Sequence, residues 1–283
     1  MQQIPDDRIL WPTRAVAAIV TPILATAGVI LVGFPDATEQ LWAWPMGPEM
    51  TTLAVGGGYL AGATLFARAT LARSWHTVGA VFLFATVLTV LLLAATVLHW
   101  DAFIHGHVSF WTWLVVYAVT PVLLPTIWLS NRRRDPGRPG TNGALVPRWI
   151  RAAVGMIGVV QFTVALTFFA VPWLAIQVWP WQLSALTART LAAFLAFIGA
   201  MWVYFLFEER WSALRLHVES ATIGLALVAL GALRAPSDLG PGSVPVALFG
   251  LLLGGTLLGL VALQLWMRRL ARNHVVGDTA LAR

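Results

Sequence analysis

The segment "HWDAFIHGH", residues 99–107, groups four side chains that can ligate a metal: His99, Asp101, His105 and His107. Imidazole nitrogens and a carboxylate are suitable ligands for Zn²⁺ or Cu²⁺, so one hypothesis is a metal site. The alternative is an ordinary polar loop, because His-x-His arises readily by chance. The corresponding segment later in the chain, "LRAPSDLGPGS", contains no histidine.

Glu219 is a second candidate. Only 14 uncharged residues separate it from Arg234, about 21 Å of helix, which is too short to cross a bilayer. The helix must therefore begin near Ser212, with Glu219 two turns inside it. Burying a carboxylate at that depth in the membrane costs free energy, so such a residue is a candidate for a functional role. We expect Arg215, or Arg73 or Arg210, as its partner. Glu219 is then either a structural ion pair or an acid that handles a proton or ligand.

Other chemistry is limited by composition. The chain has no cysteine, which excludes disulfides and thiolate metal sites, and no lysine, which excludes Schiff bases. No nucleophile–base pair is recognisable along the sequence, so we do not expect an enzyme. His99 and His217 lie near opposite ends of their spans, which disfavours bis-histidine haem. We expect no cofactor.

The elements that hold these residues are transmembrane helices. Hydrophobic residues make up 59% of the 283 positions and charged residues 11%, against about a quarter charged in soluble domains. Uncharged stretches of about 20 residues can cross the hydrocarbon. The sequence predicts eight such spans, at about 15–33, 52–72, 77–99, 109–129, 151–171, 187–207, 212–233 and 244–267.

The arginines predict the orientation. Of 18 arginines, 16 fall in the termini and alternate loops that share one side of the membrane, and only Arg189 and Arg234 fall on the other. Cytoplasmic segments favour arginine, so both termini are predicted to be cytoplasmic. The use of arginine alone, with abundant Ala, Leu, Val and Gly, is typical of a high-GC bacterium. We therefore expect a bacterial cytoplasmic membrane protein, and the net charge of +6 does not indicate nucleic-acid binding.

A tandem repeat organises the spans. Shifted by 137 positions, the chain aligns Trp42 with Trp179 and Trp44 with Trp181, together with one Pro, one Gly and two Arg pairs. This predicts an all-α fold of two four-helix repeats, which are parallel because four is even, related by a pseudo-twofold axis near the membrane normal. The predicted units are residues 1–130, a basic linker 131–148, residues 149–272 and a tail 273–283.

The paired Trp-x-Trp motifs fall between the first and second span of each repeat. Tryptophan favours the headgroup layer, so Trp42, Trp44, Trp179 and Trp181 form either an aromatic belt or a groove that holds a lipid or a partner helix. With Glu219 and Arg215, they are the candidate ligand-binding residues.

Few polar residues lie inside the spans. We therefore expect a non-catalytic accessory, scaffold or lipid-binding subunit of a membrane complex, whose partners are lipids and other membrane subunits. One alternative is a transporter or flippase for a hydrophobic or amphiphilic molecule, which would use the interface between the repeats and Glu219. Another is an enzyme acting on a lipid-linked substrate at residues 99–107.

Overall fold

The structure is a computed structural model that describes residues 6–137, 144–240 and 242–281. Within these ranges the chain is helical, with short connections and two isolated β-bridges, Arg8–Ser74 and Leu145–Arg210. Part of the predicted linker, residues 138–143, and the last two residues of the predicted tail lie outside the described residues.

Eight described helices are long and apolar enough to span a membrane, which confirms the predicted all-α fold and the predicted number of helices able to span. They are α1 (Trp11–Gly33), α2 (Glu49–Leu71), α3 (Gly79–Leu98), α4 (Val108–Asn131), α5 (Arg148–Ala170), α6 (Ala185–Val203), α7 (Trp211–Arg234) and α8 (Val244–Leu281).

A local sequence signal sets the start of α6. Ser184 caps α6 by accepting a hydrogen bond from the Thr187 N–H at 3.2 Å, while the Thr187 hydroxyl accepts from the Ser184 N–H at 2.9 Å. This reciprocal pair satisfies two donors at the helix start. Short helices, Thr38–Leu41 and Pro172–Val178, follow α1 and α5.

The helices pack in pairs. Helix α1 packs on α2, α5 on α6, α3 on α4 and α7 on α8, and contacts of α3 with α6 and of α2 with α7 join the two halves. Glycine permits the close approaches. A Cβ on Gly56 would lie 2.8 Å from a Val32 methyl, and one on Gly199 would lie 2.8 Å from the Phe162 backbone nitrogen. These distances are shorter than van der Waals contact, so only glycine fits without movement.

The two ends of the bundle differ in composition. At one end, here called the arginine-rich end, α1, α3 and α7 begin and α4 ends. Asn131 of α4 accepts a hydrogen bond from Leu10 and donates one to Thr13, which ties the last turn of α4 to the start of α1. At the opposite end, α2 and α6 begin and the Trp-x-Trp segments pack over the bundle.

Candidate functional site

The Trp-x-Trp motifs lie in the protein interior. Trp44 is 1% exposed, and Trp42 and Trp181 are buried as well. The ring centroid of Trp44 lies 4.8 Å from that of Trp113, and Trp42 packs edge-on against Tyr59 at 5.7 Å. The prediction that these three rings face the headgroup layer is therefore wrong. Composition placed them at a helix end, but the segments fold inward, where a large ring buries more apolar area.

Trp179 is partly buried and packs against Trp181, with ring centroids 5.5 Å apart. Trp181 reaches across the two halves, since its indole N–H donates to the Thr51 hydroxyl at 2.8 Å. The four tryptophans thus contribute to the core at this end of the bundle. A lipid groove formed by paired indoles finds no support in that arrangement.

The predicted metal ligands point to separate partners. His99 Nε2 accepts from the Arg189 guanidinium at 2.6 Å, which occupies its lone pair. Burial and this guanidinium lower the pKa of His99 below its ordinary value. His107 Nδ1 contacts the Trp42 carbonyl at 3.2 Å, and the ring of His105 packs between those of Trp100 and Phe110.

Asp101 belongs to a short 3-10 helix at the same loop. Among the described residues, no three His, Asp or Glu side chains come together in a geometry that could hold a metal ion. The described residues therefore do not assemble the predicted site at residues 99–107. Each histidine has a different neighbour instead: the Arg189 side chain for His99, aromatic rings for His105 and the Trp42 carbonyl for His107.

Glu219 lies at the arginine-rich end and is 14% exposed in its side chain. Its carboxylate pairs with Arg215 at 2.6 Å and with Arg68 of α2 at 3.0 Å, and Arg268 of α8 lies 3.9 Å away. Arg215 is thus the partner that the sequence suggested. The other partners come from helices in both halves, so Glu219 sits at their junction.

A cavity of about 360 Å³ opens beside this ion pair. Its polar lining comes from α2, α7 and the loop that follows α2. These residues are Arg68, Arg73, Ser74, Thr77, Ser212 and Arg215. Leucine, alanine and valine side chains complete the walls. The described lining holds three guanidinium groups and no carboxylate, so arginines outnumber the nearby acids Glu219 and Asp7 and the cavity suits an anionic group next to an apolar chain.

A chain of hydrogen bonds ends at this cavity. Asp7 Oδ2 lies 2.5 Å from His76 Nδ1, and His76 Nε2 lies 3.1 Å from the Ser212 hydroxyl. No such combination is recognisable along the sequence, yet the fold brings a carboxylate, an imidazole and a hydroxyl together from positions 69 and 136 residues apart. No local pattern marks it, and the repeat gives no help, because the positions aligned by the 137-residue shift hold Ala144, Ala213 and Trp75.

Arg210, a predicted partner of Glu219, belongs to a different cluster. It pairs with Asp135 at 2.6 Å and with Glu208 at 2.6 Å, and the Arg210 and Glu208 side chains are each 8% exposed. Burial by itself raises the pKa of both carboxyls, but the hydrogen bonds from Arg210 outweigh it and hold each pKa below its ordinary value. This cluster anchors the described beginning of the predicted linker, at Asp135, to the start of α7.

No protein-family model, curated protein or solved structure matches the chain.

Proposed function

We propose that the protein is a lipid-binding membrane protein that takes the anionic headgroup of a phospholipid into the cavity at its arginine-rich end. The observation that carries this proposal is the charge balance of the cavity, whose lining, among the described residues, holds three arginines, Arg68, Arg73 and Arg215, and no acidic side chain. Glu219 pairs with two of these arginines, and Asp7 contacts the cavity only through His76 and Ser212. A phosphate diester accepts several hydrogen bonds, and guanidinium groups donate in a geometry that matches it.

The surroundings favour a lipid over a soluble anion. The cavity lies where α2 ends and α7 begins, and both helices are long and apolar enough to span a membrane. Leu71 is 77% exposed beside it, so an acyl chain can lie along apolar surface while its phosphate contacts the arginines. Arginine side chains at a membrane boundary attract anionic lipids by about 1 kcal/mol each.

We further propose that the eight helices form two parallel four-helix repeats. The two arginines that the 137-residue shift aligns, Arg14 and Arg151, make similar hydrogen bonds to backbone carbonyls near the end of the next spanning helix, which supports this arrangement. Arg14 of α1 donates to the Ala72 carbonyl at the end of α2, and Arg151 of α5 donates to the Phe205 carbonyl just after α6. The contacts between the halves follow the same relation. The 137-residue shift aligns α3 with α7 and α2 with α6, and the α3–α6 contact has its counterpart in the contact between α7 and α2. A pseudo-twofold axis relates such pairs.

The proposed setting is the cytoplasmic membrane of a bacterium, with the arginine-rich end and both termini in the cytoplasm. The distribution of arginines supports this orientation. It would place the cavity in the cytoplasmic leaflet, whose surface is negative. Other membrane subunits are further proposed partners, as in the accessory role expected from the sequence.

A transporter that moves its substrate between the halves is less well supported. The interface between the halves is filled by packed side chains, including the Tyr59–Phe194 contact at 5.7 Å and the Trp181–Thr51 hydrogen bond. The apolar crevice of about 60 Å³ beside Tyr59 has room for only a few atoms.

Native mass spectrometry of the purified protein tests lipid binding. We expect retention of phosphatidylglycerol over phosphatidylcholine, and loss of most of that preference in Arg68→Gln combined with Arg73→Gln. The matched control is Arg133→Gln, which removes an exposed arginine at the same end but outside the cavity. Equal retention of the two lipids by the wild-type protein would refute the proposal.

A further inference from the structure

Ser212 lines the cavity, and His76 and Asp7 stand behind it in a hydrogen-bonded chain of the kind found in nucleophilic catalytic sites. From this geometry we infer that Ser212 is a nucleophile and that the protein hydrolyses carboxylic esters of anionic amphiphiles. The anionic character of the substrate rests on the proposed lipid site, whereas the nucleophile rests on contacts of its own. The inference departs from the non-catalytic role expected from the sequence.

His76 is held in the orientation that a general base requires. Asp7 accepts hydrogen bonds from the His76 ring at Nδ1, at 2.5 Å, and from the His76 backbone N–H at 3.1 Å. The Asp7 carbonyl also accepts from the Trp75 N–H at 2.7 Å, next to the Arg8–Ser74 bridge. These four contacts hold the loop before α3 against the segment before α1. A carboxylate on Nδ1–H leaves the lone pair of Nε2 free to accept a proton.

The lone pair of Nε2 faces the Ser212 hydroxyl at 3.1 Å, within the distance for proton abstraction. Serine is a weak nucleophile until such a base is adjacent. The Asp7 and His76 side chains are 22% and 19% exposed, so the orienting pair is shielded from solvent. Ser212 is exposed and lines the cavity, so a substrate can approach it.

The position of Ser212 also favours stabilisation of an oxyanion. It is the second residue of α7, where backbone N–H groups lack intrahelical acceptors and the helix dipole is positive. Among the described residues, neighbouring N–H groups are occupied, with Trp211 donating to Ala144 and Ala213 to Arg210, whereas no such hydrogen bond forms at the Ser212 N–H. Arg215, one turn on, lines the same cavity and adds positive potential.

The catalytic cycle needs only the ester and water as reactants. The Ser212 oxygen attacks the ester carbonyl carbon while its proton passes to His76 Nε2. Collapse of the tetrahedral oxyanion breaks the ester C–O bond, and His76 returns the proton to the departing alkoxide, which leaves as an alcohol. Water then attacks the acyl-serine and gives one proton to His76 Nε2. As the second tetrahedral intermediate collapses, the bond from the acyl carbon to the Ser212 oxygen breaks, His76 returns the proton to that oxygen, and the carboxylic acid leaves.

A purely structural role explains these contacts less well. The second half makes the equivalent junction through the Leu145–Arg210 bridge, with Ala144 and Ala213 at the positions aligned with Asp7 and His76. The fold therefore forms this connection without an acid–histidine–serine chain. The Asp7–His76–Ser212 hydrogen bonds occur at only one of the two related junctions, and that junction lies beside the cavity. A catalytic role explains this placement better than a structural one.

Reaction with a long-chain alkyl fluorophosphonate tests the inference on the full protein in detergent. The reagent transfers its phosphonyl group to an activated serine, with fluoride leaving and the serine proton passing to the base. We expect one adduct, mapped by peptide mass spectrometry to Ser212, and none in Ser212→Ala. In His76→Ala the labelling rate should fall by about 100-fold or more, and in Asp7→Asn it should also fall clearly.

The control is Ser130→Ala, which removes a serine at the same end whose hydroxyl bonds its own helix, and its labelling rate should equal that of the wild type. His76→Asn replaces His76→Ala if the latter lowers the melting temperature. No adduct in the folded wild-type protein, or an equal rate in the His76 variants, would overturn the inference. The reagent has no anionic headgroup, so its reaction does not depend on the proposed lipid site. If Ser212 is labelled but the protein retains phosphatidylglycerol and phosphatidylcholine equally, only the proposed lipid site is refuted.

Discussion

Trp181 donates its indole N–H to the Thr51 hydroxyl over 2.8 Å, and this hydrogen bond joins residues 130 positions apart in the two halves of the chain. Trp181 is 5% exposed and Thr51 is fully buried. A motif that looks like a surface anchor in sequence therefore serves as a core contact between the halves.

Replacing Trp181 with Phe should destabilise the protein by about 1–3 kcal/mol, because the buried Thr51 hydroxyl loses the hydrogen bond from the indole N–H. Thermal unfolding in detergent measures this effect. The matched control is Trp173→Phe, since Trp173 is 55% exposed, and it should change stability by less than about 0.5 kcal/mol. Equal effects of the two changes would mean that the indole hydrogen bond contributes little.

Gly199→Ala and Gly254→Ala are expected to act in opposite directions. A Cβ at Gly199 would lie 2.8 Å from the Phe162 backbone nitrogen, so we expect a loss of about 1–3 kcal/mol from overpacking. A Cβ at Gly254 meets nothing within 4 Å, and alanine is a better helix former by about 0.5–1 kcal/mol. Melting temperatures of the two variants should therefore lie on either side of the wild-type value.

Arg210→Gln should destabilise the protein by about 3 kcal/mol near neutral pH, because it leaves the buried Glu208 carboxylate without its partner. The pKa values of Asp135 and Glu208 are lowered in the folded protein, so their contribution is present above the unfolded pKa of about 4 and is lost as the pH falls through the folded values. The difference in melting temperature between variant and wild type should shrink below pH 4. A difference that stays constant down to pH 2 would contradict this account, and Arg133→Gln is the control.

Glu219→Gln distinguishes lipid binding from proton-coupled transport. Glu219 occupies Arg68 and Arg215, so its neutralisation should free both guanidinium groups and raise the affinity for phosphatidylglycerol by about threefold to tenfold. A proton-handling acid predicts loss of function in the same variant. Weaker lipid binding in Glu219→Gln, with the protein still folded, would argue against the proposed site.

Cysteine labelling tests the orientation, because the chain contains no cysteine of its own. Ser237→Cys lies in the exposed connection between α7 and α8, and Arg133→Cys lies at the arginine-rich end. A membrane-impermeant maleimide added to intact cells should label the first and not the second. The reverse pattern would invert the proposed topology.

The helices were predictable and most of the site was not. Apolar stretches near 20 residues bounded by charges set seven of the eight spans to within a few residues, as for α7, predicted at 212–233 and found at Trp211–Arg234. The exception is α8, predicted at 244–267, which continues as helix to Leu281 and so includes the described part of the predicted tail. Which face of a segment turns inward depends on contacts with other helices, so the local sequence does not predict that Trp44 is buried. The Asp7–His76–Ser212 chain joins three helix starts that only the packing brings together, whereas the i, i+4 pairing of Arg215 with Glu219 is local and was found.

Photolabelling tests the central claim, that the cavity at the arginine-rich end holds an anionic lipid headgroup, most directly. A phosphatidylglycerol analogue with a photoreactive group on its headgroup, incorporated into nanodiscs with the protein, should form adducts on residues 68–78 and 212–216, and an excess of natural phosphatidylglycerol should suppress them. A phosphatidylcholine analogue should label these segments weakly. Adducts spread along the lipid-facing helices, or equal labelling by the two analogues, would contradict the claim.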